Sequence, residues 1–153
     1  MAGRSENGEA VRTLLRAARH GLLSTAGLEP SGFPYGSLVQ LAATPEGEPL
    51  FLISPLAQHT RNLEADPRAS VFVTSAVGGD PMQEPRAALI GTARPLDGEA
   101  AGAARDGFLR VHPEAELYLG LGFRFWALRP QEARYVGGFG AAAWVPGEEL
   151  LGA

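Results

Sequence analysis

Ser54, Gln58, His59, Thr60 and Arg61 crowd into one short stretch directly behind an apolar run. They offer hydroxyls, an amide, an imidazole and a guanidinium, the donor types that hold an anion such as a phosphate. The surrounding sequence, Leu52 to Pro67, reads as a strand feeding a short helix over 55–65. Ser54 is expected to cap that helix, with Pro55 at its first position. Pro67 ends it, because the residue before a proline avoids helical backbone. Free amides of the first turn carry positive partial charge and would add to the pull on an anion. The same residues also describe an ordinary capped strand-to-helix connection, so on their own they leave both readings open.

Other chemistry is thinly represented. His59 shares a helical stripe with Leu56 and Leu63, which sets it beside the buried face. His20 precedes Gly21 and is expected to complement the dipole of a helix C-terminus. His112 precedes Pro113 in a loop and reads as a surface residue. No short His-x-x-x-His spacing marks a metal site. Neither a Ser-His-Asp order nor a pair of catalytic carboxylates stands out. The chain has no cysteine, which removes disulfides, thiolate metal sites and cysteine nucleophiles. It has no lysine either, so all 13 basic residues are arginines and Schiff-base chemistry is excluded.

The elements that must position these residues follow from periodicity. Val11, Leu14, Leu15 and Ala18 form one apolar stripe and predict a helix over 9–20. Strands are predicted at 21–26, 35–43, 50–54, 69–77 and 86–94. The third is wholly apolar and so buried on both faces. A second helix is expected over 98–111 and a short one over 114–119. Residues 123–129 and 133–136 read as two strands joined by a turn at Pro130. Gly36 and Gly91 inside strands suit barrel bends or close approach by a flat ligand. Gly137, Gly138 and Gly140 permit a tight turn or let Phe139 approach a planar cofactor. Connections this short rule out repeated parallel crossovers. The expected fold is a mainly β, six-stranded antiparallel barrel with flanking helices.

The chain of 153 residues suits one domain. The expected divisions are a frayed 1–8, a barrel over 9–146 and a tail over 147–153. A net charge of −4 gives no electrostatic case for nucleic acid or an acidic membrane. No segment has the roughly 20 apolar residues of a membrane span. A cytoplasmic protein is the default expectation.

Five segments in this order carry a family resemblance: Gly32-Phe-Pro-Tyr-Gly-Ser-Leu-Val39, Ser54-Pro-Leu-Ala-Gln-His-Thr-Arg-Asn-Leu63, Ala65-Asp-Pro-Arg68, Gly79-Asp-Pro81 and Tyr135-Val-Gly-Gly-Phe-Gly140, followed by Trp144. Together they resemble the pyridoxamine 5′-phosphate oxidase-like, flavin-binding split-barrel superfamily, and within it the haem-utilisation branch. The resemblance implies a split barrel, a homodimer, and flavin mononucleotide (FMN) in clefts at the subunit interface. It implies an oxidoreductase acting on a small-molecule substrate. Gly36, Ser37, Leu38 and Val39 match the strand that contacts the flavin phosphate, with Ser37 where the oxidase has arginine. Ala57, Gln58 and His59 match its phosphate clamp, and Arg86 stands where a glutamine touches the flavin ring. The oxidase's C-terminal arginine and histidine motif has no counterpart after Trp144, which argues against pyridoxamine phosphate oxidation itself. The alternative cofactor is haem, for binding or degradation, with His20, His59 or His112 as the available ligands. Members of that branch usually carry a further C-terminal domain. A third reading keeps the barrel as a non-enzymatic interaction protein.

Overall fold

A computed structural model describes residues 5–75, 78–138 and 140–152. Helix α1 (Glu6–Ala17) begins three residues before the predicted start, because the Ser5 hydroxyl accepts the Gly8 amide at 3.0 Å and caps it. Its stripe buries Val11, Leu14 and Leu15 against the barrel. Seven strands follow: β1 (His20–Ala26), β2 (Pro34–Ala43), β3 (Pro49–Ile53), β4 (Arg68–Thr74), β5 (Arg86–Pro95), β6 (Arg124–Val136) and β7 (Ala142–Pro146). Helix α2 (Gln58–Ala65) lies between β3 and β4, while α3 (Gly98–Val111) and α4 (Glu116–Gly120) lie between β5 and β6.

The strands pair antiparallel in the order β3-β2-β1-β4-β5-β6-β7, and β3 also pairs with β6. That pairing closes six strands into a barrel and leaves β7 as an extra strand on β6. The apolar run of β3 has two separate destinations. Phe51 and Ile53 enter the barrel with Leu23, Leu41, Val71 and Leu89. Leu50 and Leu52 face outward and pack with Ala104, Phe108 and Phe125 beneath α3. Alternation along β6 works the same way: Trp126 and Leu128 point inward, Phe125 and Ala127 outward.

The expected turn at Pro130 is corrected: residues 124–136 form one continuous strand. Gly91 pairs with Pro130 and Ile90 with Glu132, so Gln131 bulges from the ladder. Pro130 is tolerated because the bulge interrupts the pairing that its missing N–H cannot supply. A Cβ on Gly91 would sit 1.9 Å from the Arg129 carbonyl oxygen. Close approach at Gly91 is thus by neighbouring backbone at a barrel bend. Residues 147–152 return to α1, where Leu150 is 1% exposed and buried Arg12 donates to the carbonyls of Leu150 and Gly152. The far end of the predicted strand 69–77 includes Ala76 and Val77, which lie outside the described residues, as does Phe139.

Candidate functional site

The start of α2 differs from the sequence expectation. Ser54 does not cap the helix, which begins at Gln58 behind Ala57 with no side-chain cap. Ser54 instead builds a turn: its hydroxyl accepts the Leu56 amide at 3.1 Å, and its carbonyl accepts from the Ala57 amide and the Thr60 hydroxyl. Pro55 and Leu56 occupy that turn, because a serine hydroxyl two residues ahead of an amide competes with helix initiation.

A cleft of about 420 Å³ opens between β2, β3, α2 and α4, lined by Leu38, Gln40, Ser54, His59, Tyr118 and Phe123 among others. Of the sequence-predicted residues, Leu38, Val39, Ser54 and His59 line it. Ser37 joins through its hydroxyl, 3.0 Å from His59 Nδ1. The remaining candidates point elsewhere. The Gln58 amide donates to Asn62, exposed Arg61 donates to Gln58, and Thr60 is spent on the Ser54 carbonyl. Gly36 is exposed on β2 and does not line the cleft. Arg86 opens β5 and donates to the carbonyls of Met82 and Glu84.

Burial holds the His59 imidazole below its ordinary pKa of 6.5, so the ring is neutral near pH 7. Its Nε2 is buried without a hydrogen-bond partner. No arginine is among the residues lining this cleft. A phosphate dianion would find hydroxyls and a neutral imidazole there, without a guanidinium from this chain.

Sequence reasoning missed Asn62. Its side chain is fully buried, donates to Thr25 Oγ1 at 3.0 Å and accepts from the Leu28 amide at 3.2 Å. It thereby fixes α2 to β1 and the loop beyond it. An asparagine inside a short helix, where the residue type is disfavoured, was the available signal.

A larger cleft, about 740 Å³, runs along the outer face of β1, β2 and β4 beside the end of α1. Leu14, Leu22, Leu38 and Phe72 give it apolar walls, and Arg19 and His20 stand at its edge. Leu38 also lines the smaller cleft, so the two adjoin. The expectation for His20 is corrected here. Helix α1 stops at Ala17, and His20 is the exposed first residue of β1; its side chain makes no hydrogen bond among the described residues, and its ring lies edge-on to His112 with centroids 6.2 Å apart. His112 is corrected in the opposite direction: it is 4% exposed, and its Nε2 lies 2.7 Å from the Leu41 carbonyl. A carbonyl only accepts, so that nitrogen carries the proton and has no lone pair for a metal. Among the described residues no group of three or more His, Asp or Glu side chains is arranged to hold a metal ion. No helix among them is long and apolar enough to cross a membrane.

The chain matches the family described as CREG, beta-barrel, over residues 3–151. It belongs to the CREG β-barrel family. This CREG barrel is 34% identical over 143 residues to the chloroplastic non-canonical haem oxygenase HOZ of Arabidopsis thaliana, an alignment covering 92% of the chain and 43% of the plant protein. It is 33% identical to the structure of a haem-binding protein from Mycobacterium smegmatis, with a TM-score of 0.88, covering 97% of the chain and 61% of the other. The CREG barrel therefore spans less than two thirds of either relative. A Clostridium acetobutylicum protein of the pyridoxine phosphate oxidase family superposes with a TM-score of 0.69 at 12% identity, over 94% of the chain and 96% of the other. That likeness establishes the shared split-barrel fold.

Proposed function

We propose that this chain binds haem in the larger outer cleft, with His20 facing the iron and a second copy of the chain closing the open side. The observation that carries the reading is the His20 ring: an exposed imidazole without a hydrogen bond, at the edge of an apolar cleft of about 740 Å³. Such a volume falls within the range of roughly 300–1,000 Å³ typical of cofactor sites. His59 is a poorer ligand because its Nε2 is buried, and His112 is committed to the Leu41 carbonyl. Leu14, Leu22, Leu38 and Phe72 would lie against the macrocycle. Arg19 donates one N–H to the Val111 carbonyl and retains others for a propionate. The two haem-named relatives at 33–34% identity support the same reading. Bound haem would supply the redox chemistry, and the chain's part is to orient it, offer an imidazole and exclude water.

Titration of haemin into the purified protein tests this. Saturable growth of a Soret band is expected, with a shifted band or a weakening of about tenfold or more in His20→Ala, as befits the loss of one direct ligand. An unchanged band and affinity in that variant would remove His20 from the site. A parallel titration with FMN separates the flavin reading: saturable FMN binding without haem binding would overturn the proposal.

A further inference from the structure

Arg16 and Arg110 are the two arginines among the described residues whose guanidinium makes no hydrogen bond, ion pair or ring contact. Every other described arginine meets a carboxylate, a carbonyl, an amide or an aromatic ring. The chain holds 17 acidic residues against 13 basic ones, so carboxylates are not scarce. Both unpaired arginines line one cleft of about 350 Å³, between the end of α1, the β2–β3 turn and the face of α3. Its floor is apolar and small: Ala43, Leu50, Ala104 and Gly107. Arg110 lies close to Gly107, where an added Cβ would come within 3.7 Å of its Nη2. This cleft shares no lining residue with either cleft described above.

Two exposed guanidiniums at one hollow raise the local positive potential, which an anion bound there would relieve. A guanidinium fork matches a carboxylate in a planar, two-point contact. The floor between the two forks has no polar side chain except Thr44, whose hydroxyl accepts the Glu48 amide. We propose that this cleft binds a small organic dianion, two carboxylates joined by a short apolar spacer, with one carboxylate on Arg16 and the other on Arg110. The overall charge of −4 opposes any anion, so the attraction is local and falls as salt screens it. The site does not depend on haem and stands or falls separately from it.

Amide chemical shifts of the isotopically labelled full chain, followed during titration with glutarate, test the site. Saturable shifts are expected at Ala103, Ala104 and Gly107. Affinity is expected to fall about tenfold or more in Arg16→Gln and in Arg110→Gln, the loss of one charge-assisted contact. Gly107→Leu keeps both charges, fills the hollow and should abolish binding; leucine favours a helix over glycine, so folding is preserved. Butyrate and inorganic phosphate should each bind about tenfold more weakly than glutarate, since butyrate brings one carboxylate only and phosphate has no apolar spacer for the floor. The proposal is overturned by wild-type affinity in any of the three variants, by phosphate matching glutarate, or by non-saturating shifts spread over the surface.

Discussion

The Asn62 side chain joins three segments: helix α2, Thr25 on β1 and the backbone at Leu28. Replacing it by leucine would remove the acceptor of the Leu28 amide and leave the buried Thr25 hydroxyl only its 3.4 Å contact with the Tyr35 carbonyl. Asn62→Leu is therefore expected to cost about 2–4 kcal/mol, measured by urea unfolding. A loss below about 0.5 kcal/mol, the level of an ordinary surface change, would show that the network is not holding α2. His59 adds a pH dependence. Its folded pKa lies below the ordinary 6.5, so the unfolded chain takes up the proton first as pH falls. The contribution of this residue is whole above about pH 6.5 and declines as pH drops toward the folded value. The melting temperature should fall more between pH 7.5 and 5.5 in the wild type than in His59→Gln. Parallel curves for the two proteins would contradict the burial argument. The held-down carboxylates, Asp66 beside Arg68 together with Glu114 and Glu149, titrate below that window. Sequence could not supply the Ser37–His59 contact, since the partners stand 22 positions apart on different elements. It could name both residues only through the family resemblance.

Elements were legible where a single period ruled and illegible where one residue type has two meanings. The apolar run at β3 predicts burial on both faces, and these meet the barrel interior and the underside of α3. The helix predicted over 98–111 has its observed bounds. Pro130 predicts a turn because proline usually ends a strand, whereas here the bulge at Gln131 absorbs it. Ser54-Pro55 predicts a helix start because the pair has the composition of a cap, yet the serine hydroxyl closes a tighter turn ahead of the helix. The two strand glycines were read alike, and the structure separates them. At Gly91 a Cβ would meet the Arg129 carbonyl oxygen at 1.9 Å, while at Gly36 nothing lies within 4 Å. Gly91→Ala should accordingly cost about 2–4 kcal/mol by forcing β5 and β6 apart at the bulge. Gly36→Ala should change stability by less than about 1 kcal/mol, because its backbone is one that alanine adopts. Denaturant midpoints of the two variants side by side decide this; equal losses would mean that the β5–β6 bend yields freely.

On the scale of the whole molecule, an apolar strip crosses the outside of the barrel. In register it runs from Leu38 on β2 to Leu22 on β1, Phe72 on β4 and Ala88 on β5. Leu38 is 68% exposed and Leu22 is 48% exposed. The same row continues to Arg134 on β6 and Trp144 on β7, where the guanidinium lies 5.1 Å from the indole centroid. Water against so continuous a strip is costly, and large exposed apolar patches mark contact surfaces. The strip borders the larger cleft through Leu22, Leu38 and Phe72, so a copy docked on it would cover the proposed haem edge as well. The expected state at micromolar concentration is a dimer by analytical ultracentrifugation. Leu38→Asp combined with Leu22→Arg should give a monomer with unchanged far-ultraviolet circular dichroism, since both side chains stand on the solvent side of their strands. That monomer should also bind haemin about tenfold or more weakly, because Leu22 and Leu38 wall the proposed cofactor cleft and the second copy covers it. A monomeric wild type would end the dimer reading outright. A dissociated variant that keeps full haemin affinity would leave the dimer standing and take the macrocycle out of this cleft, because the two substitutions put charges on the walls against which it is proposed to lie.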